Sequence, residues 1–228
     1  MMTALRKWFP VFMLISASVK GAFASDVVFN NPDNAGHWGV RASLDVSNPG
    51  DWKSSIIKIN MFESRLGASA GAYYHLPLVA NLYFEPGASL FYDTYKMDFA
   101  IDESNNIPSG HIDKFGIRVP LDFGFHFDIW ENASLFIKTG PQLMYGFTEK
   151  MHIPIEEEFD NDMYGEDGML NRFDLLWDIA AGAGFGGWDV GLGYIFGWFD
   201  HDKGRSGAPH QKKTMFSLSA VRYFFNFQ

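Results

Sequence analysis

The stretch 115–147 reads FGIRVPLDFGFHFDIWENASLFIKTGPQLMYGF. In its first half, large apolar side chains occupy every second position from Phe115 to Phe127, and small or polar residues lie between them. After a break at 128–132 the same alternation runs from Leu135 to Phe147. A period of two over this length is typical of β-strands with one apolar face. The stretch therefore predicts a hairpin of two long strands.

Six further segments alternate in the same way, namely 37–47, 66–76, 82–92, 173–185, 188–198 and 214–227. Each has roughly the ten residues that a tilted transmembrane strand needs. The connections are alternately long and short, and Gly186-Gly187 is a two-residue hairpin turn. Short periplasmic turns and long external loops are the layout of outer-membrane barrels.

The N-terminal segment has the parts of a secretory signal peptide in the right order. Arg6 and Lys7 are positive, residues 9–19 form a short apolar run, and a small-x-small cleavage site ends at Ala24. The run is too short to span a bilayer as a permanent helix. We predict a signal peptide at 1–24, a periplasmic leader at 25–36 and a barrel domain at 37–228.

The composition excludes several classes of function. Removal of 1–24 takes away three of the 18 basic residues and no acid, so 15 bases face 27 acids and the formal charge is −12. So acidic an exported chain is not expected to bind nucleic acid. Cysteine is absent, which excludes disulfides and thiolate metal or redox chemistry. Beyond the signal peptide, no run reaches the ~18 apolar residues of a spanning helix.

Alternation alone does not say which face is outside, because a soluble barrel such as a lipocalin hides its apolar face from solvent. An eight-stranded barrel is only just wide enough for side chains to fill it. The face opposite the large apolar residues carries many glycines, which suit a crowded interior: Gly116, Gly124, Gly140, Gly146, Gly182, Gly184, Gly191 and Gly193. Tryptophan and tyrosine lie near the strand ends, as interfacial girdles require. The predicted fold is an all-β, eight-stranded antiparallel up-and-down transmembrane β-barrel in the outer membrane of a Gram-negative bacterium.

The last strand carries a further indication of membrane insertion. Tyr223, Phe225 and Phe227 alternate and resemble the aromatic C-terminal signature that barrel-assembly machinery reads, although the chain ends on Gln228. Phe216 and the apolar residues after it have the opposite parity. We therefore expect a β-bulge near residues 220–221.

Three prolines within predicted strands carry a family resemblance. Glu85-Pro86-Gly87, Arg118-Val119-Pro120-Leu121 and Thr139-Gly140-Pro141 resemble motifs of small outer-membrane β-barrels common in Bacteroidetes, the porin-family or OmpA/OmpX-like barrels. The resemblance covers essentially the whole mature chain. The resemblance implies an eight-stranded barrel, and the family includes a PorT-like component of type 9 secretion. No catalytic residue carries over from the family.

The polar strand face holds ionisable residues that are expected to line the lumen: Arg41, Glu85, Arg118, Asp122, Lys138, Asp174, Asp178 and Arg222. A charge inside a narrow barrel must be paired, because an unpaired one costs several kcal/mol. If Asp128 and Asn132 close the central hairpin, Asp122 faces Lys138 and Arg118 faces Gln142. The network either plugs the barrel or forms a gate or ion path, and the narrow bore favours the plug.

The predicted external loop at 149–171 is dense in acids, of which the strongest surface candidates are Glu156, Glu157, Glu158, Asp160, Asp162, Glu166 and Asp167. Carboxylates at this density could bind calcium or bridge divalent ions to lipopolysaccharide. Tyr164, however, occupies a ligand position of an EF-hand-like spacing, so a solvated loop is the preferred interpretation. Its apolar residues, including Met151 and Phe159, could also contact a protein partner.

A lipid-A-modifying barrel is the enzyme alternative, and it needs a nucleophile or base near the outer rim. His75 and His126 are predicted near the periplasmic turns. Asp200-His201-Asp202 is predicted at the outer end of a strand, where solvated loop residues are the preferred interpretation. We assign no catalytic, metal or cofactor site from the sequence.

The sequence therefore predicts a non-enzymatic outer-membrane barrel with a closed polar lumen and a role in envelope integrity or surface interaction. Its expected partners are outer-membrane lipid and lipopolysaccharide, the barrel-assembly machinery during insertion, and a protein bound through the external loops. The alternatives are a subunit of a secretion or assembly complex, a small pore and a lipid-A enzyme.

Overall fold

Eight long strands form the barrel in the computed structural model, in the predicted order along the chain. The structure describes residues 36–48, 52–53, 58–59, 62–63, 65–97, 110–130, 133–153, 159–164, 170–198 and 213–224. In chain order the long strands are β1 (His37–Asn48), β2 (Arg65–Pro77), β3 (Leu82–Met97), β4 (Gly110–Trp130), β5 (Ala133–Ile153), β6 (Phe173–Phe185), β7 (Trp188–Gly197) and β8 (Thr214–Phe224). The predicted signal peptide and the leader up to residue 35 lie outside this set.

Each long strand pairs antiparallel with its neighbours in sequence, and β8 pairs with β1. That last pairing runs from Trp38 opposite Phe224 to Asn48 opposite Thr214. It closes the sheet, so the predicted eight-stranded up-and-down barrel is confirmed. Within the described ranges no helix has the length and apolar character needed to cross a membrane.

Burial alternates along the strands and separates the two faces of the wall. In β1, for example, every second residue from His37 to Ser47 is buried and the residues between them are exposed. Large apolar side chains such as Leu192 (68% exposed) and Leu66 (67%) cover the outer face. The lumen holds glycines next to large side chains. At Gly124, for example, a Cβ would lie only 2.1 Å from Cζ of Tyr83, so no larger residue fits there. Glycine and aromatic residues thus fill the interior together.

The two glycines between β6 and β7 form a turn that other residues would strain. Gly186 has φ +55° and Gly187 has φ +78°. Positive φ at both central positions belongs to the primed two-residue turn, whose twist matches the flanking strands. This turn lies at the same end of the barrel as residues 78–81 and the paired strand ends Trp130 and Ala133. We call that end the short-turn end, and the opposite one the long-loop end.

The central hairpin is tighter than predicted. Trp130 pairs with Ala133, and the register shifts between Asp128 and Trp130. Because β4 continues two residues past the predicted closing position, Lys138 lies opposite Gly124. Asp122 is therefore diagonal to Lys138, and the prediction that the two lie directly opposite was wrong.

The same shift changes the partner of Arg118. It lies opposite Met144, while Gln142 lies opposite Pro120. The predicted Arg118–Gln142 pairing was therefore wrong by two residues. All of these side chains still belong to the inner face, because a register change of two preserves the alternation.

Strand β8 has no bulge within its described residues. It keeps one unbroken register with β1 and with β7, so the predicted break near 220–221 was wrong. The alternation that puts Phe216 and Leu218 outside continues to Phe224, which is 54% exposed, while Tyr223 faces the lumen. Residues 225–228 of the C-terminal signature lie outside the described residues.

Two predicted loops turn out to be partly strand at the long-loop end. β4 begins at Gly110 and β5 runs to Ile153, and the short strand Phe159–Asp162 folds back onto β5. Glu149, predicted in a surface loop, is buried on the lumen side. Of the acidic candidates, Asp160 and Asp162 belong to that short strand, whereas Glu156, Glu157, Glu158, Glu166 and Asp167 lie outside the described residues.

Candidate functional site

A first group of charges surrounds Glu85 in the short-turn half of the lumen. Glu85 is fully buried and accepts hydrogen bonds from Arg41 and from the Tyr223 hydroxyl. Nζ of Lys138 lies 2.7 Å from Glu85 Oε1 and 3.5 Å from Asp122 Oδ2. Asp122 also lies 3.9 Å from Arg41 Nη1. The lumen face of four different strands thus contributes ionic groups to one cluster.

A second group surrounds Arg118 in the long-loop half. Its Nη1 lies 2.5 Å from Asp45 Oδ2, and its Nη2 lies 2.7 Å from Asp93 Oδ2. Nζ of Lys213 lies 2.9 Å from the same Asp93 oxygen. Arg118 is 3% exposed, and both carboxylates are fully buried. Because Arg118 is on β4 and Asp45 on β1, the guanidinium crosses the bore between strands that are not neighbours.

The remaining predicted lumen residues are placed as follows. Asp178 is buried and faces Lys138, and Asp174 is buried near Lys114 and Lys213. The structure thus brings seven of the eight predicted residues into the lumen.

Arg222 is the exception, and its predicted place in the network was wrong. Its guanidinium donates to the carbonyl of Gly186 at 2.6 Å and lies 5.4 Å from the Trp188 ring centroid. With β8 in one register, Arg222 falls on the outer face, and Tyr223 takes the lumen position beside it.

An apolar cluster fills the part of the bore beside Arg118. It consists of buried side chains from β3, β5, β6, β7 and β8: Phe91, Met144, Leu176, Ile195 and Met215. The Arg118 guanidinium carbon lies 4.2 Å from the centroid of the Phe91 ring. These apolar side chains therefore fill the space that the ion pairs leave, and Phe91 also makes a cation–π contact with Arg118.

The long-loop mouth is covered by a small cluster of Met163, Tyr164 and Leu170, against which Met151 packs. Gly146 makes room for it, because a Cβ there would lie 2.2 Å from Tyr164 Oη. The nearby Glu149 pairs with Lys114, with 3.0 Å between Oε2 and Nζ. Burial, together with Glu149, raises the pKa of Tyr164. Tyr164 is thus a lumen cap, not a ligand position of a calcium loop.

The short-turn mouth is lined by stacked rings. The His75 ring lies 4.4 Å from the Tyr83 ring and 5.4 Å from that of His126, between centroids. His126 Nε2 lies 3.8 Å from Asp189 Oδ2. Both histidines therefore belong to the lumen packing at this end, where the sequence placed them.

Several site residues were missed by the sequence reasoning. Asp45, Asp93 and Lys213 complete the group around Arg118, and the parity of Asp45 and Asp93 on their strands could have assigned them to the lumen. His111, Asp113 and His152 lie together near the long-loop end of β4 and β5, with one ligand atom from each within 4.8 Å of the others. They were missed because both strands were predicted to end before these residues.

The chemistry of this lumen is that of a packed interior. Cations and carboxylates lie in contact, so each offsets the cost of removing the other from water. Apolar side chains pack beside Arg118, and the cluster of Met163, Tyr164 and Leu170 lies at the long-loop end.

Comparison with known proteins gives a family and little more. A family model described as "Outer membrane protein beta-barrel domain" matches residues 23–202. Among solved structures, Neisserial surface protein A is similar with 12% identity over 82% of this chain and 97% of that chain, at a TM-score of 0.44. OprG from Pseudomonas aeruginosa has 11% identity over 83% and 96%, at 0.45. The outer membrane enzyme PagL has 13% identity over 81% and 98%, at 0.43.

At these scores and identities the three structures carry no argument about what this chain does. No curated protein matches the chain in sequence.

Proposed function

The chain belongs to the outer membrane protein β-barrel domain family, and from that premise we propose that it is a non-enzymatic barrel with a closed lumen. The bacterial outer membrane is its location, and lipid and lipopolysaccharide are its surroundings. Its role in this proposal is to support envelope integrity or to present a surface for interaction outside the cell. Export by a cleaved signal peptide and insertion by barrel-assembly machinery belong to the same proposal.

The observation that carries the proposal is the ion pairing across the bore. Arg118 on β4 contacts Asp45 on β1, and Lys138 on β5 contacts Glu85 on β3. These pairs join strands that do not neighbour each other in the wall, so their side chains occupy the cross-section of the lumen. Moving these side chains aside to open a path would leave buried charges without partners, which costs several kcal/mol. A plug therefore fits better than a gate.

Planar-bilayer recording tests the closed lumen. The full-length mature chain is reconstituted, and its insertion is verified by protease protection before recording. A closed lumen predicts a flat baseline without discrete openings over the voltage range in which a known porin conducts. Reproducible unitary openings from verified insertions would overturn the proposal and favour the small pore.

The subunit of a secretion or assembly complex remains the second candidate, supported by the family resemblance in the sequence to PorT-like barrels. A subunit would use the external loops or the strand extensions of β4 and β5 as its contact surface. Affinity purification from native membranes in mild detergent tests it. Stoichiometric recovery of a partner supports the complex, whereas recovery of the barrel alone supports the stand-alone role.

One observation keeps an enzyme among the candidates. His111 Nε2 lies 3.6 Å from Asp113 Oδ2 on the outward side of the wall near the long-loop end, where a lipid-A enzyme would need an oriented base. We propose that this group is not catalytic. Mass spectrometry of lipid A from cells expressing the chain tests this statement. Altered lipid A that reverts with His111→Ala would contradict it, and altered lipid A that reverts with His201→Ala would contradict the non-enzymatic barrel.

A further inference from the structure

Two histidines and one aspartate converge on the outer side of the wall where β4 and β5 extend beyond the central barrel. His111 and His152 are direct partners in the ladder, and Asp113 is two residues from His111 on the same strand. Residues two apart on a strand share a face, and directly paired residues share it too. The register alone thus brings an imidazole, a second imidazole and a carboxylate to one point.

The distances between the three groups suit a metal ion. His111 Nε2 lies 3.6 Å and His152 Nε2 lies 3.9 Å from the same oxygen, Oδ2 of Asp113. The two imidazole rings are nearly parallel at 4.7 Å between centroids. Nitrogen and oxygen ligands bind zinc at about 2.0–2.1 Å, so tetrahedral ligand atoms are about 3.3 Å apart. Small side-chain rotations would close the difference.

The position of the cluster makes it accessible. All three side chains are partly exposed, and the alternate residues Ile112 and Lys114 face the lumen. The lipid-facing Phe115 lies two residues below Asp113 on β4 and packs its ring against Phe147. At about 3.3 Å per residue, His111 lies roughly 13 Å farther along the strand than Phe115. This is the region of the lipopolysaccharide headgroups and the external medium.

Two lysines and one aspartate are the charged neighbours of the cluster in the ladder, and the aspartate, Asp160, lies opposite His152 on the short strand Phe159–Asp162. Lys96 lies opposite His111 on β3, and Lys150 lies opposite Asp113 on β5. Their lumen-side neighbours Tyr95 and Glu149 are buried, so both lysines belong to the outer face. Their positive charge opposes a bound cation and offsets part of the attraction of Asp113. The site should therefore bind metal through coordination, not through a general negative field.

We propose that His111, Asp113 and His152 form a surface site for a divalent transition metal ion of the zinc type. Two imidazoles and a carboxylate supply three ligands, and water or a headgroup oxygen supplies the fourth. Bound metal would fasten the extended ends of β4 and β5 to each other beyond the membrane. The inference does not depend on the closed lumen, since the site is outside the bore.

Isothermal titration of the full-length mature chain with zinc chloride tests the site, in phosphate-free buffer and with any affinity tag removed. One zinc ion per chain should bind. His111→Ala and His152→Ala should each weaken binding at least about tenfold, because even the loss of an outer-shell partner of a metal site costs 10–100-fold. His201→Ala is the matched control and should leave binding unchanged. Lys150→Gln should tighten it, because a repelling charge is removed.

Three results would overturn the proposed metal site. No heat above dilution with the folded wild-type chain overturns the proposal, and so does equal weakening by His201→Ala. Retained binding in the double variant His111→Ala/His152→Ala also overturns it. Cobalt substitution gives a second measurement, since tetrahedral coordination should produce visible absorption that both histidine variants lose. Unchanged heat-modifiable migration of the variants shows that any loss is not a loss of folding.

Discussion

Arg118 bridges two carboxylates inside the barrel, and Arg118→Met removes the cation while keeping a long apolar side chain against Phe91. Asp93 would retain Lys213 at 2.9 Å. Asp45 would lose the cation that contacts it among the described residues, and Asp45 is fully buried. Breaking a buried pair by removing one partner costs about 3–5 kcal/mol. We expect the free energy of unfolding to fall by that amount.

Equilibrium unfolding in urea from lipid vesicles, followed by tryptophan fluorescence, measures this change. Arg222→Met is the matched control, because that arginine is on the outer face and bonds an exposed carbonyl. Arg222→Met should lower the free energy of unfolding by less than about 1 kcal/mol. The double variant Arg118→Met/Asp45→Asn should recover much of the loss, because the uncompensated charge is gone. Equal stability of the two arginine variants, or no recovery in the double variant, would refute the reasoning.

Three further outcomes follow from the wall, the mouth and the acidic segment. Leu192→Arg should lower the free energy of unfolding in vesicles by about 2–4 kcal/mol, because the outward Leu192 lies between Trp188 at the start of β7 and Trp198 just past its end, near the bilayer midplane; a change within about 0.5 kcal/mol would speak against lipid at this face. Gly146→Ala should displace Tyr164 and speed chymotrypsin cleavage after it, whereas Gly193→Ala, where a Cβ meets nothing closer than 3.4 Å, should not; equal cleavage of both would contradict the cap. Calcium titration should give no heat above dilution, since Tyr164 is buried and Glu149 is paired with Lys114; a saturable signal would restore the calcium site.

Much of the architecture was accessible from the sequence, because the period of two survives wherever one face of a strand meets lipid. β6 was predicted with its observed bounds, and seven of the eight predicted lumen residues face inward. The choice of face followed from the small bore of an eight-stranded barrel, which the crowding of Gly124 against Tyr83 illustrates. Local pattern and global fold agree here, as minimal frustration requires.

The features that could not be predicted depend on register. The β4–β5 register differs by two residues from the one that the composition of the turn suggested, which changed the partners of Lys138 and Arg118. The outward positions beyond Phe115 and Phe147 are polar, and the apolar residues there, such as Ile112 and Met151, lie on the lumen side, so no outward hydrophobic alternation signals that the strands continue. For that reason the pairing of His111 with His152 could not be predicted from the sequence. Arg222 was misplaced because the parity of the aromatic C-terminus suggested a bulge that the ladder does not contain.

In the proposed function, side chains close the lumen of an outer-membrane barrel. Because the chain has no cysteine, single introduced cysteines can be labelled in vesicles with a water-soluble maleimide. Ser89→Cys reports on the middle of the bore, where Ser89 is 4% exposed, and Asp128→Cys at the exposed short-turn end is the control. A closed lumen predicts rapid labelling of Cys at position 128 and none at position 89 until the protein unfolds. Labelling at position 89 as fast as at position 128 would contradict the account.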